Sequence, residues 1–521
     1  MPSDPSRDVG AVPWTTDLHR TRAARASRVS KSVVAVLCPL LFALFTAVSL
    51  FAQNQSNVER GLLWPLVGAS VALAGAFVAI FLLATRNASK AGVLASLAVV
   101  AFSCYGIFFE SLPTWSVVIW LGIVVAGSVA VFRSGRDFFP LTVALLVVAL
   151  VMVAPSASSV VSYRGDHPTI ATDDPRLWPT ALESPSLADG ARPPDIYILI
   201  PDDYARADVL AQYFDYDNSA FLHQLERRGF VVSDQARSPY AFSEMNIAAL
   251  LNLDYLTNFP TVLGRTSQDF NVVKQVDENS RASRMLTAIG YDYVHLDTDD
   301  VTFSGGNPAI SPFASPESFA SLWLNKSILG QIGGPIGFNE SAMNQRFRDS
   351  IHSEFSALGS IPTTGRPKFV VFHTLVPHDP FIFGAQGQAV TFPTDADHAG
   401  PEGFDYYTRQ ITYLNTLLLD AIDQIQARPG PPPAILIQAD EGFEVDPSVF
   451  GEDASADIRV KGLSAFSLPG TGQPDVAMPP NTVNSLRYLF NQVLGTHYEM
   501  LDSVSHLEGD LPFDSAEIAV R

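Results

Sequence analysis

The sequence predicts an α-helical transmembrane bundle of about five spans followed by a three-layer α/β domain. Three observations carry this: five apolar runs crowd the first 155 residues, strand and helix patterns alternate from Asp195 onward, and three short apolar strands end in polar clusters. The apolar runs lie near Ser32–Ala52, Leu62–Ala84, Ala91–Phe109, Trp115–Phe132 and Phe138–Pro155. Each is close to the roughly 20 residues that a helix needs to cross a bilayer. A mean hydropathy of +0.17 with 17% charged residues fits a chain that is only partly water-soluble.

Basic residues give the orientation. Arg20, Arg22, Arg25, Arg28 and Lys31 precede the first run, Arg86 and Lys90 separate the second from the third, and Arg133 and Arg136 separate the fourth from the fifth. These alternate loops belong inside, and an odd number of crossings then places everything after Pro155 outside the cytoplasm. The long basic lead, the lack of a small-residue cleavage site and the four further runs argue against a cleaved signal peptide. The expected organisation is a basic segment over 1–31, a membrane domain over 32–155, a linker over 156–193 rich in Pro, Ser, Ala and Asp, and an extracytoplasmic domain over 194–521.

After Pro155 the chain has 22 basic and 47 acidic residues, a net of −25. That field excludes nucleic acid as a partner. Both cysteines, Cys38 and Cys104, fall within predicted spans, so the outer domain has no disulfide framework and no thiol for catalysis or metal binding.

Within the outer domain, Ile196-Tyr-Ile-Leu-Ile200 is a short apolar run that reads as a central strand buried on both faces, which Pro201 is expected to stop. Asp202 and Asp203 follow, at the strand end where open α/β sheets place ligands. Phe230–Ser233, Tyr291–Leu296, Pro367–His373, Ala434–Gln438 and Lys461–Leu468 read as further strands. Ser243–Leu253, Ser280–Ile289, Phe319–Leu329, Ser341–Leu358, Phe404–Ala427 and Thr482–Leu494 read as helices, with Phe319–Leu329 and Ser341–Leu358 on the flank of the sheet. The Ala434–Gln438 strand leads into Asp440 and Glu441. Acids delivered by two adjacent strands repel unless a cation or protons lie among them.

Two histidines, His373 and His378, follow the Pro367–His373 pattern, the second in a proline-bounded loop. Ser243 stands where an irregular stretch becomes a helix. As N-cap its hydroxyl would lie beside unpaired backbone N–H groups, a place that attracts phosphate, although most serines in such positions only cap.

These motifs, in this order, resemble the alkaline phosphatase superfamily in its sulfatase-like, membrane-anchored branch. The layout is similar to that of lipoteichoic acid synthase and related phosphoglycerol transferases. The resemblance covers about Asp195 to Leu494, and the membrane part matches in layout only. It implies Asp202 as first metal ligand, Ser243 as metal-activated nucleophile, Asp440 as late ligand and His378 as the substrate-binding histidine. Where the family has a histidine after the late aspartate, this chain has Glu441. An all-oxygen set of Asp202, Ser243, Asp440 and Glu441 would favour Mg²⁺, Mn²⁺ or Ca²⁺ over Zn²⁺. The Cys/Ser-x-Pro-x-Arg signature of sulfatases is absent around Ser243.

The expectation is therefore a phosphoester hydrolase or transferase acting on a lipid or cell-envelope polymer. An acidic domain needs a local positive charge to hold such a substrate. The competing expectation, raised by Glu441, is a catalytically silent relative that binds an envelope glycan or a partner protein. Spans almost free of charge show no path for a transporter.

Overall fold

The computed structural model describes residues 14–56, 60–109, 115–166, 170–186, 193–267, 269–297, 301–304, 323–324, 326–332, 340–362, 365–393, 396–469, 479–508 and 513–518. The chain divides into two compact units. The first comprises Met1–Asp166 and Phe319–Phe338, and the second His167–Ser318 and Asn339–Arg521.

Among the described residues of the first unit, four helical stretches are long and apolar enough to cross a membrane: Lys31–Asn54, Leu63–Thr85, Ser116–Arg133 and Phe139–Tyr163. The third expected span differs. It is a 16-residue helix, Ala88–Ser103, followed after Cys104 by a short helix over Tyr105–Phe109. Ala88–Ser103 is buried along much of its length, and its small residues admit close neighbours. A Cβ on Gly92 would lie 2.8 Å from the Cα of Ala35. Irregular backbone at membrane depth is tolerated where protein surrounds it. Lys31 pairs with Asp137 at 2.8 Å, and Lys90 donates to the carbonyl of Phe132 at 3.3 Å. The three basic flanks thus share one end of the bundle.

The expected helix Phe319–Leu329 does not flank the sheet. Its described residues belong with the membrane-type unit, and the helix there is Ile328–Ile332. Trp323 and Ile328 are apolar and find matching pockets. The Trp323 indole donates to Thr46 Oγ1 at 3.2 Å, and Ile328 packs with Tyr105 and Val117. Gly106 N–H donates to the carbonyl of Lys326 at 3.0 Å.

The second unit is built on a seven-stranded sheet. Its strands are β1 (Ile196–Asp202), β2 (Val231–Val232), β3 (Asp292–Asp297), β4 (Val301–Ser304), β5 (Lys368–Pro377), β6 (Ala434–Gln438) and β7 (Ser464–Ser467), in the order β2-β7-β6-β1-β5-β3-β4. β1 is central, parallel to β5 on one side and β6 on the other, and fully buried. Alternate residues serve opposite faces. Tyr197, Leu199, Phe372 and Ile437 pack against the Glu340–Ser360 and Pro401–Gln426 helices. Ile196, Ile198, Ile200 and Leu436 pack against the Ser243–Asn252, Arg281–Ala288 and Ser485–Val493 helices. At about 1.5–3 kcal/mol for each large apolar side chain, this burial dominates the unit's stability.

Three local expectations are corrected. β1 runs through Pro201 to Asp202, with a register shift at that step. The β6 pairing covers only Ile196–Leu199, so the proline falls where the β5 ladder alone continues. β5 is also longer than expected, which leaves His373 inside the strand opposite Ile200 and Asp297 instead of at its end. Finally, the stretch read as a linker is structured over part of its length. The last membrane-type helix continues to Asp166, and Ile170, Leu177 and Trp178 are buried against Phe259 and Val273 of the second unit.

A Cβ at position 106 would meet the carbonyl oxygen of Lys326 at 2.6 Å. Gly106→Ala is expected to loosen residues 323–332 and cost about 1–3 kcal/mol. The check is faster proteolysis of that segment, and a lower thermal midpoint, in the detergent-solubilised protein.

Candidate metal and nucleophile site

β1 and β6 end side by side, and their polar residues form one cluster. Asp202, Asp203, Asp440 and Glu441 are each at most 3% exposed. Four carboxylates in such a place demand positive charge. Within the chain it comes first from Arg459, on the Glu452–Val460 helix. Its guanidinium donates to Asp203 Oδ1 at 2.9 Å and pairs with Glu441 Oε1 at 2.7 Å. The same group donates to the carbonyl of Ala241, just before the Ser243 helix.

Asp203 has φ +58°, a left-handed conformation uncommon for a residue with a side chain. Three contacts enforce it: its N–H donates to Asp440 Oδ1 at 3.1 Å, the Tyr407 hydroxyl donates to its carbonyl at 2.6 Å, and Arg459 holds its carboxylate. The twist lets consecutive acids serve different partners, Asp202 facing Ser243 and His373 while Asp203 faces Arg459 and His378.

Ser243 is the first residue of its helix, with Phe242 in the capping position. This corrects the expected N-cap role. Its hydroxyl is directed to the acids, 3.0 Å from Glu441 Oε1 and 3.3 Å from Asp202 Oδ1. Asn246, one turn on, donates to Glu441 Oε2 at 3.3 Å. Asp440 uses Oδ1 for the N–H groups of Asp203 and Glu441, whereas its buried Oδ2 accepts no hydrogen bond. The His373 ring nitrogen Nε2 lies 3.8 Å from Asp202 Oδ2.

Among the described residues, two ligand groupings share Asp202: one with His373 and Asp440, one with Asp203 and Glu441. In each, the donor atoms lie within 4.8 Å of one another. Donors about 2.0–2.6 Å from one ion are at most about 4–5 Å apart, so both groupings are on the scale of single-ion coordination. The Oδ2 of Asp440, buried and without a hydrogen bond, is a donor that such an ion could use. The structure thus brings Asp202, Ser243, Asp440 and Glu441 together across more than two hundred residues of chain. His378 stands one step out, reaching the cluster through Asp203 at 3.8 Å while its Nδ1 contacts Asp379 at 3.1 Å.

The electrostatics follow from this packing. Burial, and then the neighbouring charge of Asp202, push the Asp440 carboxyl up to about 7, with His373 pulling the other way. Burial pushes Asp203 up to about 6 against the opposing pull of Arg459 and His378. Glu441 is driven well above the ordinary carboxylate range, again by burial and against Arg459. Burial disfavours a charged His378 ring, but Asp203 and Asp202 outweigh it and raise the ring to about 9.

Sequence reading missed Arg459, Asn246 and Tyr407. The only signal was indirect, the need for a positive charge in an acidic domain, and nothing near position 459 marks it.

No family model matches the chain, and no curated protein matches it. Solved structures similar to it include the C-terminal periplasmic domain of EcEptC from Escherichia coli, at 11% identity and TM-score 0.39 over 63% of this chain and 94% of that one. Another is the integral membrane lipooligosaccharide phosphoethanolamine transferase A (EptA) from Neisseria meningitidis, at 10% identity and TM-score 0.34 over 88% and 95%. A third is BT1596, a 2-O GAG sulfatase, at 14% identity and TM-score 0.38 over 61% and 79%. Likenesses at these scores decide neither fold nor function, which rest on the chain's own geometry.

Two outcomes are expected. Arg459→Leu would leave Asp203 and Glu441 buried without their partner and cost about 3–5 kcal/mol, read by denaturant unfolding. Because Asp440 is raised to about 7, it is mostly protonated below that pH, and a cation must displace the proton. Mn²⁺ titrations between pH 5.5 and 8 are expected to show affinity falling roughly tenfold per pH unit below about pH 7 and flattening above it. A flat profile contradicts the assignment of Asp440 as a ligand.

Proposed function

We propose that this chain is a membrane-anchored, metal-dependent phosphoester hydrolase or phospho-group transferase of the alkaline phosphatase superfamily, in its sulfatase-like branch. Its α/β domain works outside the cytoplasm on a lipid or cell-envelope substrate. One observation supports this above the others: the Ser243 hydroxyl sits within hydrogen-bond reach of two buried carboxylates, Asp202 and Glu441, beside an orphaned oxygen of Asp440. A serine that merely caps a helix has no use for such neighbours.

Asp202 and Asp440, with Ser243, are the residues that would hold a divalent ion. Such an ion supplies Lewis-acid charge to the phosphoryl oxygens and lowers the pKa of the serine hydroxyl. The protein's own groups do the rest. Glu441 Oε1, 3.0 Å from Ser243 Oγ, receives the hydroxyl proton. In its charged form, which Arg459 and Asn246 hold in place, burial makes this carboxylate a stronger proton acceptor than an exposed one. Ser243 Oγ then bonds to phosphorus as the bond to the leaving oxygen breaks. His378 carries a proton at neutral pH and is 31% exposed, so it can reach substrate and protonate that oxygen. Attack on phosphorus by water or an acceptor hydroxyl, whose proton passes to His378, breaks the bond to Ser243 Oγ, and Glu441 returns its proton to that oxygen.

The basic flanks gathered at one end of the helical bundle support an inward orientation of that end. Membrane anchoring in turn favours substrates that are themselves lipids or envelope polymers.

Ser243→Ala is expected to lower turnover of phosphodiesters by about 10³-fold or more without disturbing folding. Acid-quenched wild type is expected to carry phosphate on a peptide that contains residue 243. Full activity in Ser243→Ala rejects the proposal.

A further inference from the structure

We infer that the nitrogen ligand of the ion is His373, delivered by β5, and that Glu441 has been withdrawn from the ion onto Arg459. This deepens the reading above and rests on it, since it assumes that the cluster holds one divalent cation.

The two groupings around Asp202 are not equivalent. In the one with Asp203 and Glu441, the place of a cation is already filled. Arg459 spans both acids, Nη1 on Asp203 Oδ1 at 2.9 Å and Nη2 on Glu441 Oε1 at 2.7 Å. The second oxygen of Glu441 accepts from Asn246. An ion there would lie against a fixed guanidinium whose charge it repels. Displacing Arg459 would strand a side chain that is only 16% exposed.

In the grouping with His373 and Asp440 the opposite holds. Asp440, 97% buried, has one oxygen saturated by two backbone N–H groups and the other without a hydrogen bond. That carboxylate faces Asp202 and Ser243. His373 brings Nε2 to 3.8 Å from Asp202 Oδ2, from the strand next to β1. Two nitrogen or oxygen atoms bound cis to one ion at about 2.0–2.2 Å lie about 3–3.5 Å apart, so the His373–Asp202 pair is a few tenths of an ångström from that spacing, and the Asp440 oxygen lies within 4.8 Å of both.

The consequence for the ion is definite. Two carboxylates, one imidazole and a serine hydroxyl are a mixed donor set, which suits Zn²⁺ or another first-row transition ion better than Ca²⁺ or Mg²⁺. This reverses the preference that the all-oxygen set carries. It also explains how a glutamate stands after the late aspartate: the imidazole comes from another strand, and the freed carboxylate becomes the proton acceptor for Ser243.

The test uses the full-length protein in detergent, stripped with chelator and reloaded with Zn²⁺, with X-ray absorption at the zinc edge and metal analysis after dialysis. The expected result is about one Zn²⁺ per chain, with imidazole scattering in both wild type and Glu441→Gln. His373→Ala, checked for folding by circular dichroism, is expected to lose the imidazole signal and bind at least tenfold more weakly. The wild-type spectrum needs no variant to fold. Imidazole scattering that is absent from wild type, or that persists in His373→Ala, overturns the inference and leaves the one-ion reading standing. So does a Glu441→Gln variant that loses the ion while His373→Ala keeps it. Wild type that takes up neither Zn²⁺, Mn²⁺ nor Mg²⁺ overturns both.

Discussion

Four buried carboxylates at the ends of β1 and β6, answered by the Arg459 guanidinium and by the neighbouring His378, are the constraint around which the α/β unit is arranged. Burying one charge without a partner costs several kcal/mol, and burying four is untenable unless the surroundings hold them in place and supply positive charge. Arg459 answers two of them, Asp203 and Glu441. Asp202 and Asp440 are left facing each other, Ser243 and His373. Burial above all raises the Asp203 and Asp440 carboxyls, with the neighbouring acids adding to it and Arg459, His378 and His373 opposing it.

The rest of the unit makes that arrangement rigid. β1 is sandwiched between two apolar layers and two parallel neighbours, so its end cannot drift. Asp440 binds the backbone of the residues that follow β1 and β6, so the two strand ends are joined through one carboxylate. Tyr407, from the long Pro401–Gln426 helix, ties the turn that follows Asp203, donating to the Asp203 carbonyl and accepting from the N–H of Ala205. Gly442 serves the same end, since a Cβ there would come within 2.1 Å of the carbonyl of Ile458, one residue before Arg459. Close backbone approach lets the Arg459 helix reach the acids.

The first unit follows different physics. Its helices gain little from hydrophobic burial against one another in an apolar medium and depend on close packing of small residues. Gly92 against Ala35 and Gly106 against Lys326 are two such contacts. The second recruits a segment from far along the chain, between β4 and β5, into the helical unit.

Local composition and periodicity were enough to give the apolar runs, the alternation of strands and helices, the burial of Ile196–Ile200 and the acids that follow two of the strands, because each depends on solvation and chain geometry over a few residues. Several features depended on contacts the sequence does not display. The β1 run is apolar on both faces, so its pattern alone does not say which face Asp202 joins; the ladder to β5 and the left-handed turn at Asp203 decide that. Ser243 reads as a cap until the neighbouring strand ends show what its hydroxyl meets. Arg459 is one arginine in an ordinary polar helix, and Trp323 one aromatic in a helical pattern that reads as a flank of the sheet. Their partners lie far off in sequence, at 203 and 441 for the first and at 46 for the second, and only the folded chain, by excluding water between them, makes those pairings matter.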